Sequence, residues 1–289
     1  MKLVVGYIPE HFSTPIFFAA KHGFFKAHGV EVELKPFPSG SGHLIQCLEN
    51  QSIDISVGLT EAHIRAIAAG SDAFKLAGVY VQSPLCWAVS TGANRSDLTN
   101  VGQFEGSIVG VSRMGSGSDV MAKVLQHQQE WSQPFRYVIN NDFKNLRDGV
   151  NGTGSAHPSD FFMWEHFTSK RYYDSGEIKR IGEIYTPWPS WVISVGTHTR
   201  GNEAAVRAFL AALNEGVEYF NGHPEQAVEW ISTNLDYSAE DAAAWLKTVR
   251  FSDNVGRIEG GVVTKTLDTL KLAVELPEDA EHREYIADF

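Results

Sequence analysis

Cysteine is nearly missing from this chain: two of 289 residues, Cys47 and Cys86, too few for a disulfide framework and without the CxxC spacing of a structural zinc site. No apolar run reaches the roughly 18 residues of a membrane-spanning helix. The opening MKLVVGYIPE has neither the long apolar stretch nor the small-residue cleavage site of a secretory signal. Basic charge is in deficit. With 24 Lys+Arg against 35 Asp+Glu the formal net charge is −11, an acidic field that repels nucleic-acid phosphate and anionic lipid. Catalytic motifs are wanting as well. The 11 histidines form no HExxH, no GxSxG elbow occurs, and no lysine follows the glycine-rich turns as a Walker A loop requires. The expectation is therefore a chain that is not an enzyme, takes no metal or cofactor, binds no nucleic acid and does not insert in a membrane. As written it is expected in the cytoplasm, or in the periplasm or outside the cell if a signal peptide was removed.

What is present is ordinary globular material, 43% hydrophobic and 20% charged, in a length that suits one large domain or two lobes. Short apolar runs at 3–8, 30–35, 53–58 and 75–81 alternate with helical stretches at 16–28, 43–50 and 61–69, each stopped by Gly or Asn. A second run repeats the scheme with strands at 87–90, 107–111 and 135–139 and a helix at 118–128. Alternation of this kind predicts α/β architecture with parallel pairing. Pro84, and then Pro187 and Pro189, interrupt the pattern at 82–84 and 186–190 and mark two crossovers between lobes. A strand over 192–195 precedes helices predicted at 203–221, 224–234, 239–249 and 263–274, and the acidic end beyond Pro277 is expected to be exposed.

Each α/β run contains a strand, a Gly-Ser turn and a helix: Gly40 and Ser41 within SGSG, and Ser116 and Gly117 within RMGSGSD. Backbone N–H groups at such helix starts suit a carboxylate, sulfonate or phosphate, although Ser, Gly and Asp are also ordinary helix-start residues. Arg113 adjoins the second turn and offers a charge-assisted contact to the same anion. The aromatic run around Trp188 and Trp191, Trp164 with Glu165, Phe12 beside His11, and Tyr80 at a strand end supply flat surfaces. They either stack on a ligand in a cleft or fill the seam between lobes. Glu61 either accepts from a ligand amine or serves its helix as a first-turn acid. All these fall at the strand ends where open α/β sheets bind ligands.

The segments PIFFAAKHGFFKAHGVEVELKPFPSGSG, IDISVGLTEAHIRAIAAG, DLTNVGQFEGSIVGVSRMGSGSD and VRAFLAALNEGVEYFNGHPEQAVEWI together resemble the solute-binding proteins of bacterial transporters for sulfonates, taurine, nitrate and thiamine-pyrimidine precursors. They are similar also to the related fungal enzymes that make the thiamine pyrimidine. The most specific parts are G-x-F-x-x-x-G-V at 23–30 and F-x-G-x-x-x-G-V at 104–111. The resemblance implies a two-lobed type II periplasmic-binding-protein fold, with residues 1–83 plus 198–289 in one lobe, 84–197 in the other, and a helical C-terminal region. It implies a small anionic organic ligand in the cleft, and a transporter or signalling partner. Its site falls on 9–15, 39–42, Thr60 and Glu61, 113–118, and Trp164 with Glu165. The chain departs from the fungal synthases in having Thr60 where they place the lysine that holds pyridoxal phosphate. It also lacks their cysteine-rich run, reading 185–194 without a thiol. Binding is therefore expected over the alternative, an enzyme of thiamine-pyrimidine synthesis.

Overall fold

The structure, a computed structural model, describes residues 2–288. They form two units. The first takes residues up to Pro84, Trp188–Leu267 and those from Leu276 on; the second takes Leu85–Pro187 and Asp268–Glu275. In chain order the first unit opens with β1 (Lys2–Tyr7), α1 (Thr14–Lys21), α2 (Phe24–Ala27), β2 (Glu31–Pro36), α3 (Ser41–Glu49), β3 (Ile55–Leu59), α4 (Thr60–Ala68) and β4 (Phe74–Val81). The second unit follows with β5 (Cys86–Gly92), β6 (Ile108–Val111), α5 (Gly117–Gln128), β7 (Arg136–Ile139), α6 (Phe143–Asn151), β8 (Phe161–Glu165), α7 (His166–Asp174) and β9 (Ile178–Tyr185). The chain then returns to the first with β10 (Trp191–Gly196), α8 (Glu203–Gly222), α9 (Pro224–Asn234) and α10 (Ala239–Leu246), and α11 (Gly260–Ala273) leads back into residues of the second.

In the first unit the described strands form a five-stranded sheet in the order β2-β1-β3-β10-β4. β1 is parallel to β2 and β3, whereas β10 runs antiparallel between β3 and β4. Two expectations are corrected here. Pairing is mixed, and residues 188–197 belong to the first unit, because WVISVG is buried at every position and so needs a strand on each side. The second sheet has the order β7-β6-β8-β5-β9, with β5 antiparallel to both β8 and β9. Its helical side includes Leu146 and Val150 of α6, packed with Phe162 of β8 and Ile178 of β9. Residues 268–275, expected in the first lobe, fall with this unit.

The single helix expected over 16–28 is two. Gly23 takes φ +76, a left-handed conformation that a continuous helix cannot contain, and separates α1 from α2. The tail is not exposed throughout either: Ala280 and Tyr285 are buried, and the chain at 285–287 hydrogen-bonds Leu76 on both sides, Leu76 N–H to Tyr285 O at 2.7 Å and Ala287 N–H to Leu76 O at 2.8 Å. Residues 250–257 cover the rest of the same β4 edge, through Gln82 N–H to Arg250 O at 2.8 Å and Val79 N–H to Arg257 O at 2.9 Å. An edge paired in this way is closed to further strands.

The cap expected at Ser238 is present: its hydroxyl accepts from the Asp241 N–H at 3.0 Å and starts α10. Ser238→Ala is expected to lower stability by about 1 kcal/mol, the usual cost of an N-cap. Urea unfolding measures it, and an unchanged midpoint would mean that α10 starts without this bond.

Candidate functional site

The sheet of the first unit ends, at the carboxyl side of its parallel strands, in the turn after β1, the turn after β2 and the β3–α4 junction. Register places Trp191, the first residue of β10, opposite both Leu59 and Val81, so this edge also receives the end of β4. All eight candidates of this unit gather there: Phe12, Gly40, Ser41, Thr60, Glu61, Tyr80, Trp188 and Trp191. Their chemistry differs from the expectation, because most are spent on the protein itself.

Phe12 is buried, and the stacking expected of it is with protein rings: His11 at 4.5 Å between centroids, Trp191 at 5.1 Å and Trp245 at 5.1 Å. Trp191 is buried in the same cluster. The Tyr80 hydroxyl donates to the Phe12 carbonyl at 2.8 Å, which uses the group that would have faced a ligand. Thr60 donates from Oγ1 to the Pro189 carbonyl at 2.5 Å and from its N–H to Ser190 O at 3.1 Å. Gly40, with φ +78, precedes α3, and the Ser41 hydroxyl accepts from the Leu59 N–H at 2.9 Å. Trp188 is buried and donates its indole N–H to Glu61 Oε2 at 2.9 Å. Glu61 is fully buried, and burial pushes its carboxyl up to about 7 against the pull of its own amide and that indole. His63, one turn behind the candidates, is held neutral between Ser56 Oγ and Leu59 O, and burial lowers it to about 4.

The second unit offers a more open edge. β6, β7 and β8 are parallel; β6 and β7 end level, Val111 opposite Ile139, while β8 runs on to Glu165, which pairs with Trp87 of β5. Arg113, Ser116, Gly117, Trp164 and Glu165 lie along this edge. The turn from β6 to α5 is tightly built: Ser116 caps the helix, donates to the Arg113 carbonyl at 2.7 Å and meets Ser118 Oγ at 2.9 Å. Gly115 N–H binds Asp119 Oδ2 at 2.8 Å, and Lys123 neutralises that carboxylate from 2.9 Å. The buried Asp119 would otherwise repel an anion at this helix start. Arg113 is half-buried, and desolvation lowers its guanidinium pKa from the ordinary value. Glu165 is buried at the start of α7, accepts from the Thr168 N–H at 2.6 Å, and is pushed up to about 7 by burial. Trp164 is half-buried and stacks on Phe143 at 5.2 Å, an internal contact again.

Two apolar residues stand exposed at this edge: Met114, within the turn at 113–118 where the site was expected, and Ile139 at the end of β7, which was not anticipated. Ile139 looks like a core residue in sequence, and only the position of its strand at the sheet's end exposes it. Tyr237 and Trp245, which enclose His11 at 4.4 and 4.1 Å, were not anticipated, because they come from the connection before α10 and from α10 itself, far along the chain. Among the described residues no cluster of three or more His, Cys, Asp or Glu could hold a metal ion. The half-buried thiol of Cys86 lies 3.5 Å from Glu183 and is pushed up to about 12, mainly by burial, so it is protonated and unreactive at neutral pH.

The family model described as Ca3427-like PBP matches residues 87–184, and that of the NMT1-like family matches residues 1–130. No curated protein matches the chain. Among solved structures, the Candida albicans CA3427 gene product is 45% identical, with 100% of this chain and 98% of that one covered and a TM-score of 0.95. This chain belongs to the CA3427 family. That gene product defines a family with the generic periplasmic binding protein fold, and the two five-stranded α/β units of this CA3427-family chain have that fold too. More distant structures are similar in fold alone. The alkanesulfonate-binding protein SsuA from Xanthomonas axonopodis pv. citri, bound to MOPS, is 13% identical with 95% and 94% of the two chains covered and a TM-score of 0.76. The periplasmic aliphatic sulphonate binding protein SsuA from Escherichia coli is 16% identical with 99% and 92% covered and a TM-score of 0.74.

Proposed function

We propose that this CA3427-family protein binds, and does not transform, a small anionic organic molecule of the sulfonate or thiamine-pyrimidine-precursor kind, using strand-end residues of the second unit. The observation that carries the reading is Arg113: a half-buried guanidinium at the end of β6, beside a helix-start turn whose acid is already neutralised by Lys123. It occurs in a fold shared along nearly the whole chain with proteins named for sulfonate binding. Guanidinium to sulfonate or phosphate is a charge-assisted contact, and the partial dehydration of Arg113 strengthens it. Exposed Met114 and Ile139 flank the same turn and suit the organic part of the ligand. A transporter or signalling partner belongs to the same proposal, suggested by the import-system relatives.

Thr60 argues for binding over synthase chemistry. Its side chain has no amine to hold pyridoxal phosphate, and its hydroxyl is committed to the Pro189 carbonyl. The test is calorimetric titration with hexanesulfonate and with a phosphorylated aminopyrimidine. Arg113→Ala is expected to weaken the better of the two about tenfold, or about 1.4 kcal/mol, with the unfolding midpoint unchanged. Equal affinity in variant and parent would remove Arg113 from the site.

A further inference from the structure

The chain enters the first unit at Trp188, directly after Pro187, and the entering segment is tied down at once. Trp188 Nε1–H donates to Glu61 Oε2 at 2.9 Å, the Pro189 carbonyl accepts from Thr60 Oγ1 at 2.5 Å, and the Ser190 carbonyl accepts from the Thr60 N–H at 3.1 Å. Ser190 closes the other side, its hydroxyl donating to Ser83 O at 2.7 Å. Three of these bonds are neutral. The fourth depends on a carboxyl group that is wholly out of water, and whose second oxygen, Oε1, has no hydrogen-bond partner among the described residues.

A carboxylate in that position is poorly served. One indole N–H and its own amide do not replace the hydration of a charge, whereas a neutral acid loses far less on burial. The surroundings supply no counter-charge. Of the elements packed on α4, β3 and β10 carry no titratable side chain. β4 carries Lys75 and Tyr80, engaged by the carbonyls of Glu284 and Phe12. α3 brings His43, Cys47 and Glu49, and the 3-10 turn Ala280–His282 brings Glu281 and His282. Within α4, His63 is held by Ser56 and Leu59, and Arg65 completes the set. None of these charges contributes to the position of the Glu61 carboxyl, which burial alone drives up.

We propose that Glu61 is a proton-operated fastener for residues 188–190: neutral, it stays beneath the Trp188 indole; ionised, it takes in water and loosens the segment from the β3–α4 junction. The device stands apart from the ligand-binding proposal, since it acts in the ligand-free protein and uses no residue of the second unit.

Its reporter is the indole N–H itself. In the full-length protein labelled with 15N, the seven tryptophans give seven indole signals, and one of them is expected to titrate between pH 6 and 8 with a midpoint near 7. Glu61→Gln, which keeps the shape of the neutral acid, should hold that signal fixed, and Trp188→Phe should delete it. Amide exchange of Trp188, Ser190 and Trp191, corrected for its intrinsic rise with pH, should speed up at least threefold from pH 6 to 8 in the parent and not in Glu61→Gln. If none of the seven signals moves over that range, or if the same signal titrates alike in Glu61→Gln, the proposal is overturned. The first of these outcomes needs no variant to fold.

Discussion

Gly78→Ala is expected to be the most damaging single methyl group that can be added to this protein, costing about 3 kcal/mol, the upper part of the overpacking range. A Cβ on Gly78 would lie 1.8 Å from the Val255 carbonyl oxygen, 2.7 Å from its carbon and 2.9 Å from the Arg257 nitrogen. These are backbone atoms, so no rotamer change relieves the clash. The segment 250–257 would have to lift from β4, taking with it the Val79 N–H to Arg257 O bond and then the Gln82 N–H to Arg250 O bond. Phe251, buried against Tyr80 at 5.0 Å and Trp245 at 6.4 Å, would lose its place in the aromatic cluster beneath Phe12. Urea unfolding of Gly78→Ala, beside an alanine at the open glycine Gly222 as control, measures the difference. A variant as stable as its parent would show that this close approach is absent in solution.

The second large effect is a stability that depends on pH through Glu165. Burial raises this carboxyl from its ordinary value of 4.5 to about 7 in the folded chain. Between these two values the folded state binds a proton that the unfolded state has released, so stability falls as pH rises through the window and stays low above it. At 1.36 kcal/mol per unit, the span amounts to on the order of 3 kcal/mol by pH 8. Glu165→Gln keeps an oxygen for the Thr168 N–H and removes the titration. The variant should match its parent near pH 4.5 and exceed it by roughly 2–3 kcal/mol at pH 8. A constant difference across that range would show that Glu165 titrates normally when folded.

The elements were legible wherever a period and a stop signal coincided. The helix Pro224–Asn234 was expected at its observed bounds, from a proline at its start and an apolar stripe along it. β9 and α7 were not anticipated: FTSKRYYD and IKRIGEIY mix charge with aromatics, and what fixes them is pairing with β5 and the cation stack of Arg147 on Tyr172, 3.5 Å from ring to guanidinium carbon. The mixed direction of the sheets was hidden for the same reason, since a buried strand reads alike whichever way it runs. At the candidate site the sequence located the edges, because strand ends and glycine turns are local features. It did not show which side chains are already engaged. Tyr80, Thr60 and Trp188 look like ligand contacts in sequence, but find partners at Phe12, Pro189 and Glu61, 68, 129 and 127 residues away.

The central claim, that the protein binds a small organic anion, is tested most directly by thermal unfolding of the full chain against a graded panel: sulfate, taurine, MOPS, hexanesulfonate, thiamine and a phosphorylated aminopyrimidine. The account predicts that at least one organic anion raises the midpoint progressively with its concentration, as mass action on a native-state site requires, and that the rise shrinks in Arg113→Ala. A midpoint that none of the organic anions moves at millimolar concentration, or that sulfate alone moves, would contradict it.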